Sequence, residues 1–210
     1  MEHALRCPNS SFLHGEYPIP GLFHVPDIRN YWMPNVEQVK KEAQEELIPL
    51  TYQFLGKTRK SVEVINDYFE NHSLPGTASF MSHSSPDPLS PLMRDIEPNY
   101  NSFYHAYGHS GRKGTPELLQ CWANRSDFPM LTVLGQNSYE AYQNISNIKI
   151  IQGHLDVNQV RVLQRSHGVH ICPSSMEGYG HYISEARGMG AMVVTTDFGP
   201  MNEFVINNYS

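Results

Sequence analysis

Apolar and polar positions alternate in a regular way over the second half of the chain. Five short apolar runs, rich in β-branched and aromatic residues, are separated by segments with helical spacing. Strands alternating with helices indicate βαβ units, so residues 96–210 are predicted to form a Rossmann-like parallel sheet of about five strands. The predicted strands are 103–107, 130–134, 148–151, 169–172 and 192–195; the predicted helices are 116–124, 138–144, 157–166 and 181–189.

The first 95 residues carry a weaker pattern. Residues 1–34 contain Pro18, Pro20, Pro26 and Pro34 and show no period, so we expect irregular structure there. Helices are predicted at 35–47 and from Thr58 onward, and strands at 51–55 and 77–81. Residues 82–98 are rich in proline and predict a linker. The expected organisation is a reduced α/β segment over 1–95, then the Rossmann-like domain.

Composition narrows the classes of partner. The chain has 210 residues, 40% of them hydrophobic, and a net charge of −6, so we expect no nucleic-acid partner. No stretch is long and apolar enough for a membrane span. The three cysteines, Cys7, Cys121 and Cys172, have no paired spacing, which predicts a reducing, cytoplasmic location. The eleven histidines show no metal-ligand spacing, so no metal site is predicted.

The loop after the first predicted strand of the second half favours an anion. Residues 107–116 contain Gly108, Gly111 and Gly114 together with the adjacent cations Arg112 and Lys113. Thr115 is the expected N-cap of the next helix and Pro116 its first residue. Free N–H groups and two cations at a helix N-terminus suit a diphosphate. The alternative is an ordinary glycine turn with solvated cations. Gly114 follows Lys113 where a P-loop needs a hydroxyl, which argues against that class.

The loop after the fourth strand carries two carboxylates, Glu177 and Glu185, with seven residues between them. Gly178 and Gly180 let the backbone approach a ligand closely. Glu185 is expected in the second turn of the following helix, where an ionised carboxylate can accept hydrogen bonds from two ribose hydroxyls. The alternatives are a capping role for Glu177 and an exposed helical position for Glu185. A third glycine is missing, so a dinucleotide fingerprint does not fit.

Together these loops resemble the retaining GT-B glycosyltransferases of family 4, the glycogen-synthase-like group. The resemblance is carried by residues 108–115, 173–180, 183–186 and 195–203, and more weakly by 55–58. It implies two Rossmann-like domains and a nucleotide-diphosphate sugar, with UDP or GDP, as donor substrate. It implies transfer to the hydroxyl of a carbohydrate or other acceptor, with retention and without a metal or cofactor.

The resemblance also implies roles for single residues. Lys113 would neutralise the leaving diphosphate, with Gly108 and Arg112 in the same donor-binding loop. Glu177 would contact the donor sugar. The backbone of Gly178, Tyr179 and Gly180 would meet the sugar and phosphates, and Glu185 would bind the ribose. A histidine from the first segment would contact the sugar; the candidates are His14, His24, His72 and His83.

The chain departs from the family in two ways that keep other functions open. His109 follows Gly108 where the family usually has an arginine. The chain is also shorter than a complete enzyme of this kind, so a partner subunit or a second copy is expected to complete the cleft. The alternative functions are a non-catalytic nucleotide-binding or partner-binding protein, a GT-B sugar-nucleotide epimerase, and a phosphorylase, for which no lysine motif is present.

Overall fold

The structure, a computed structural model, describes residues 10–39, 42–108 and 110–205. The chain divides into two compact units, Met1–His83 and Ser84–Ser210. Both contain a parallel sheet with α-helices in most of the connections between successive strands, so the predicted α/β class is confirmed. The division comes just after the start of the predicted linker. None of the helices among the described residues is long and apolar enough to cross a membrane.

The first unit is a four-stranded parallel sheet in sequential order. Its strands are β1 (Ser11–His14), β2 (Arg29–Trp32), β3 (Gln53–Gly56) and β4 (Ala78–Phe80), and its helices are α1 (Pro20–Phe23), α2 (Val36–Val39), α3 (Glu42–Glu45) and α4 (Arg59–Asn71). Trp32, Phe54, Ile65 and Phe69 form its core. Thr58 caps α4 in a capping box with Ser61, which explains why this helix was predictable.

One prediction for the first unit was wrong. Residues 11–32, expected to be irregular, contain β1, α1 and β2. Each of these elements has four residues, too few for a hydrophobic period to emerge between the prolines. The helix predicted over 35–47 corresponds, in the described residues, to α2 and α3, and residues 40–41 between them lie outside the described part.

The second unit is a five-stranded parallel sheet in the order β7-β6-β5-β8-β9. Its strands are β5 (Asn99–Gly108), β6 (Met130–Gly135), β7 (Ile148–Gln152), β8 (His167–Cys172) and β9 (Met192–Thr195), and its helices are α5 (Thr115–Ala123), α6 (Val157–Ser166) and α7 (His181–Gly188). Right-handed crossovers put α5 on one face and α6 and α7 on the other. Tyr107, Leu119, Trp122 and Leu131 pack in the core on the α5 side.

The helix predicted over 138–144 was wrong. The structure has a single 3-10 turn at Glu140–Tyr142. The segment packs on the core without a helix, since the ring of Tyr139 meets the ring of Tyr107 edge to face at 5.4 Å. Tyr107 donates its hydroxyl hydrogen bond to the carbonyl of Asn137, 2.8 Å away, which ties this connection down without a helix.

Candidate functional site

The strand order of the second unit creates a crevice at one place along its sheet. The chain leaves β5 toward β6 and leaves β8 toward β9, in opposite directions, although β5 and β8 are paired neighbours. Ligands of open α/β sheets bind at such a switch point, beyond the carboxyl ends of the strands. The two loops that open there are 109–114, here called the β5 loop, and 173–180, the β8 loop. Residue 109 of the β5 loop lies outside the described residues.

The β5 loop and the β8 loop are held together by backbone contacts. The N–H of Ser175 donates to the carbonyl of Arg112 at 3.0 Å. Gly114 lies so close to the β8 loop that a Cβ added there would be 2.4 Å from the carbonyl oxygen of Pro173, and its φ is +66°. Only glycine satisfies both conditions without strain. The contact therefore fixes the distance between the two loops.

Gly114 is also the N-cap of α5, where Thr115 had been predicted. The reason is that Thr115 is buried and its side chain is used elsewhere, in a hydrogen bond of 2.8 Å with Nε2 of His105. Nδ1 of His105 lies 2.9 Å from the carbonyl of Ile171 and must donate to it, so in the neutral ring Nε2 accepts from Thr115. Burial, with a smaller contribution from nearby Lys113, lowers the pKa of His105 to about 4 against the opposing backbone hydrogen bond to Ile171.

Lys113 and Glu177 meet across the two loops. The ammonium group of Lys113 forms an ion pair with Oε1 of Glu177, and the side chains are only 17% and 12% exposed. Ser174, fully buried, donates to the same carboxylate oxygen at 2.5 Å. The ring of Tyr182 lies beneath the ammonium, 3.8 Å from ring centroid to Nζ. A cation and an anion predicted separately from sequence thus form one cluster at the switch point.

The remaining predicted residues of the two loops have distinct positions. Gly108, with φ +56°, ends β5 and has open space where a Cβ would be. Arg112 is exposed and its guanidinium lies 2.7 Å from the sulfur of Met176, at the rim of the cluster. Gly180 is the N-cap of α7 in the left-handed region, φ +87°, while Tyr179 is buried against the ring of Phe204.

Glu185 lies in α7 and faces α6. Its Oε2 is 3.2 Å from the guanidinium of Arg161 and accepts from the side-chain amide of Gln164 at 3.0 Å. The side chains of Glu185 and Arg161 are 25% and 21% exposed, so the pair is accessible at one side. The structure therefore pairs Glu185 with two α6 residues and does not bring it into contact with the Lys113 and Glu177 cluster.

Sequence reasoning assigned no role to Ser174, Tyr182, Arg161 and Gln164. Ser174 stood within the family-like run 173–180 and could have been singled out there. Tyr182 carried no signal, because a tyrosine in the first turn of a helix is ordinarily a packing residue. Arg161 and Gln164 could not be connected with Glu185 before the packing of α6 against α7 was known.

A cavity of about 450 Å³ lies elsewhere in the second unit, beside α7. Its polar lining comes from Ser84, Ser85, Asp87, Ser184 and Arg187. It borders the β8 loop through the buried Tyr179 and includes neither charge of the cluster, so the loop contacts, rather than this cavity, define the candidate site. Among the described residues, no three or more His, Cys, Asp or Glu side chains are grouped to hold a metal ion.

The candidate His14, and Lys57 from the weakly resembling run 55–58, are buried in local networks of the first unit. His14 accepts from the N–H of Ile19 through Nδ1 at 3.2 Å and donates through Nε2 to Asn30 at 2.9 Å, and burial lowers its pKa. Lys57, 5% exposed, bonds to Glu16 at 2.8 Å and to Asn35 at 3.1 Å.

Solved structures share this architecture. A GtfA/B complex matches with a TM-score of 0.69 at 16% identity, over 99% of this chain and 46% of that one. The pneumococcal O-GlcNAc transferase GtfA in complex with UDP and GlcNAc matches with a TM-score of 0.66 at 13% identity, over 96% and 44%. A trehalose-6-phosphate synthase, described in work on glycosyl transfer with retention, matches with a TM-score of 0.65 at 11% identity, over 92% and 60%.

The chain has a GT-B-like α/β fold. It spans about half of the length of these neighbours, from 44% to 60%. No protein-family model matches the chain, and no curated protein matches it in sequence. At these identities the likeness establishes the fold alone.

Proposed function

We propose that this protein is a glycosyltransferase that moves a sugar from a nucleotide-diphosphate donor to an acceptor hydroxyl. The observation that carries the proposal is the contact of Lys113 with Glu177 at the switch point of the sheet. A cation for a diphosphate and a carboxylate for a sugar stand side by side where α/β proteins bind nucleotides. The GT-B-like fold and neighbours named as glycosyltransferases support the same class.

The proposed roles follow from charge and position. Lys113 binds the diphosphate, assisted by Arg112 at the rim and by the N-terminal end of α5. Glu177 contacts the donor sugar. Its Oε2 has no hydrogen-bond partner among the described residues, because both Ser174 and Lys113 use Oε1. The backbone of residues 178–180 lies along the sugar and phosphates.

Glu185 is proposed to bind the ribose hydroxyls, with Arg161 and Gln164 holding its carboxylate. For a ribose to reach it, at least one carboxylate oxygen has to accept from the ligand in addition to its present partners. An ionised carboxylate has about four acceptor positions, so the two kinds of contact are compatible.

The reaction exchanges one bond at the anomeric carbon for another. The bond to the donor phosphate oxygen breaks, and the diphosphate leaves with the electron pair. The acceptor oxygen then bonds to the same carbon, and its proton is released, with the diphosphate as the nearest base. Lys113 stabilises the negative charge as it develops, and the Glu177 carboxylate faces the positive sugar centre, so both act by electrostatics.

The finer assignments belong to the proposal as well. The resemblance to family 4 favours retention of the anomeric configuration without a metal, and the match to a synthase described for transfer with retention supports that outcome. UDP or GDP is the proposed nucleotide. An acceptor carbohydrate, a completing subunit and a cytoplasmic location stay predictions.

Calorimetry with UDP and GDP tests the site first. We expect one of them to bind, and Lys113→Met to weaken binding about tenfold to a hundredfold, the value of a charge-assisted contact. Lys149→Met is the matched control, since Lys149 is an exposed lysine on β7. The absence of binding by both nucleotides would overturn the proposal.

Donor turnover tests the chemistry. Hydrolysis or transfer of a UDP- or GDP-sugar should be lost in Glu177→Gln while UDP or GDP still binds, and should persist in Glu140→Gln, an exposed control. Product analysis by NMR gives the anomeric configuration, and activity in EDTA tests metal independence. Binding with no turnover in the wild type would favour the alternative of a non-catalytic nucleotide-binding protein.

A further inference from the structure

Tyr182 touches both charged groups of the cluster. It is the second residue of α7, and its ring lies under the Lys113 ammonium at 3.8 Å. Its hydroxyl is 2.5 Å from Oγ of Ser174, which in turn is 2.5 Å from Oε1 of Glu177. One side chain therefore contacts the cation with its ring face and reaches the anion through a single intervening hydroxyl.

The direction of these hydrogen bonds follows from counting protons. Ser174 has one hydroxyl proton, and the Glu177 carboxylate can only accept, so Ser174 donates to Glu177. Tyr182 must then donate to Ser174. The two hydrogen bonds thus run from the phenol of Tyr182 through the hydroxyl of Ser174 to the carboxylate of Glu177. This arrangement requires a protonated phenol, and burial raises the pKa of Tyr182, so the phenol remains protonated.

We propose that Tyr182 is a positioning residue of the donor site. Its ring holds Lys113 in place for the diphosphate, and its hydroxyl, acting through Ser174, orients Glu177 toward the sugar. The inference rests on the proposed function. It goes beyond that function because it assigns two separable tasks, one for the ring and one for the hydroxyl, to a residue that no sequence motif marked.

The two tasks predict different defects. Tyr182→Leu removes both ring and hydroxyl, so Lys113 loses its support and the affinity for UDP or GDP should fall about threefold to thirtyfold, the range of a cation–π contact. Tyr182→Phe keeps the ring, so nucleotide affinity should stay within about twofold. It removes the proton donated to Ser174, so kcat of donor turnover should fall about tenfold, the value of one hydrogen bond, with KM nearly unchanged.

The contact between Lys113 and the ring of Tyr182 can also be tested by NMR without a ligand. A methylene next to an ammonium placed over an aromatic face resonates upfield, so the Hε protons of Lys113, assigned by their loss in Lys113→Met, should be shifted in the wild type. The shift should persist in Tyr182→Phe and vanish in Tyr182→Leu. Tyr100→Phe and Tyr100→Leu are matched controls, because Tyr100 is exposed and donates to the carbonyl of Gly190 instead.

A double-mutant cycle tests whether the hydroxyl works through Ser174. Ser174→Ala should lower kcat at least as much as Tyr182→Phe, because it removes the direct hydrogen bond to Glu177. The double variant should be no slower than Ser174→Ala alone, because without Ser174 the tyrosine hydroxyl no longer reaches Glu177. A merely structural role would lower the thermal midpoint and leave kcat of the folded fraction unchanged.

Distinct outcomes separate the two claims. If the wild type binds neither UDP nor GDP, the proposed function fails and the inference fails with it. If the wild type binds but Tyr182→Leu keeps full affinity, or if the two kcat losses add in the double variant, the inference alone is overturned. An unshifted Lys113 resonance in the wild type would also overturn it.

Discussion

Gly114→Ala is the sharpest test of how the two loops are held. The glycine occupies a left-handed conformation, φ +66°, and a Cβ there would lie 2.4 Å from the carbonyl oxygen of Pro173. Real Cβ atoms essentially never approach a heavy atom more closely than 3.0 Å. The neighbour is backbone, so the clash cannot be relieved by rotating a side chain. The β5 loop and the β8 loop would have to move apart.

The cost has two parts. The left-handed conformation disfavours an L-residue by about 1–2 kcal/mol. Forcing a methyl group into a filled space adds about 1–3 kcal/mol. The free energy of unfolding of the second unit should therefore fall by about 2–5 kcal/mol. A displacement of the loops also separates Lys113 from Glu177, so we expect nucleotide affinity to fall even in the folded fraction.

Two glycines of the same connection are matched controls. Gly111 has no atom within 4 Å of an added Cβ and no positive φ, so Gly111→Ala should be near neutral. Gly108 has φ +56° but open space, so Gly108→Ala should lose only the conformational part, about 1–2 kcal/mol. The three variants make the same chemical change and separate strain from clash.

Urea unfolding followed by the fluorescence of Trp122 measures the effect. Trp32 is the only other tryptophan, so a Trp32→Phe background leaves a signal from the core of the second unit alone. Calorimetry with UDP or GDP on the same variants reports the site. Equal stability of Gly114→Ala and Gly111→Ala would refute the reasoning, because the contact with Pro173 would then carry no cost.

Three further predictions concern other contacts. Burial lowers the pKa of His105 and of His170 to about 4, so below pH 6.5 the unfolded protein binds more protons than the folded one. The free energy of unfolding should therefore fall by up to about 3 kcal/mol for each histidine as the pH drops to 4. Urea titrations that show no decrease would contradict this. Thr58→Ala removes the α4 capping box and should cost about 1 kcal/mol, measured by thermal unfolding against Thr58→Ser, which keeps the cap. Arg161→Met breaks the partly exposed pair with Glu185 and should cost about 1 kcal/mol or less, with a smaller difference in about 0.5 M salt; a salt-independent loss would point to packing instead.

Much of the second unit could be predicted because its strands are long or its helices are clearly delimited. α6 begins at the capping box of Asp156 and Gln159, a local signal that needs no tertiary information. The 3-10 turn at Glu140–Tyr142 was mistaken for a helix because Tyr139 and Tyr142 pack on the core from an irregular segment, and periodicity cannot tell the two cases apart. Thr115 was predicted as the N-cap because it precedes Pro116. Its hydrogen-bond partner, His105, lies ten residues earlier on β5, and nothing in the sequence indicated that contact.

The sequence by itself determined that a cationic glycine loop and an acidic glycine loop each follow a strand of a parallel sheet. Hydrophobic period and glycine spacing are local properties, so they were visible without coordinates. Only the tertiary structure decided that β5 pairs with β8, since strand order depends on contacts between distant segments. That pairing brings Lys113 to Glu177 across 64 residues and puts Ser174 and Tyr182 around them. The tertiary structure also places α6 and α7 on the same face of the sheet, so Glu185 of α7 pairs with Arg161 of α6.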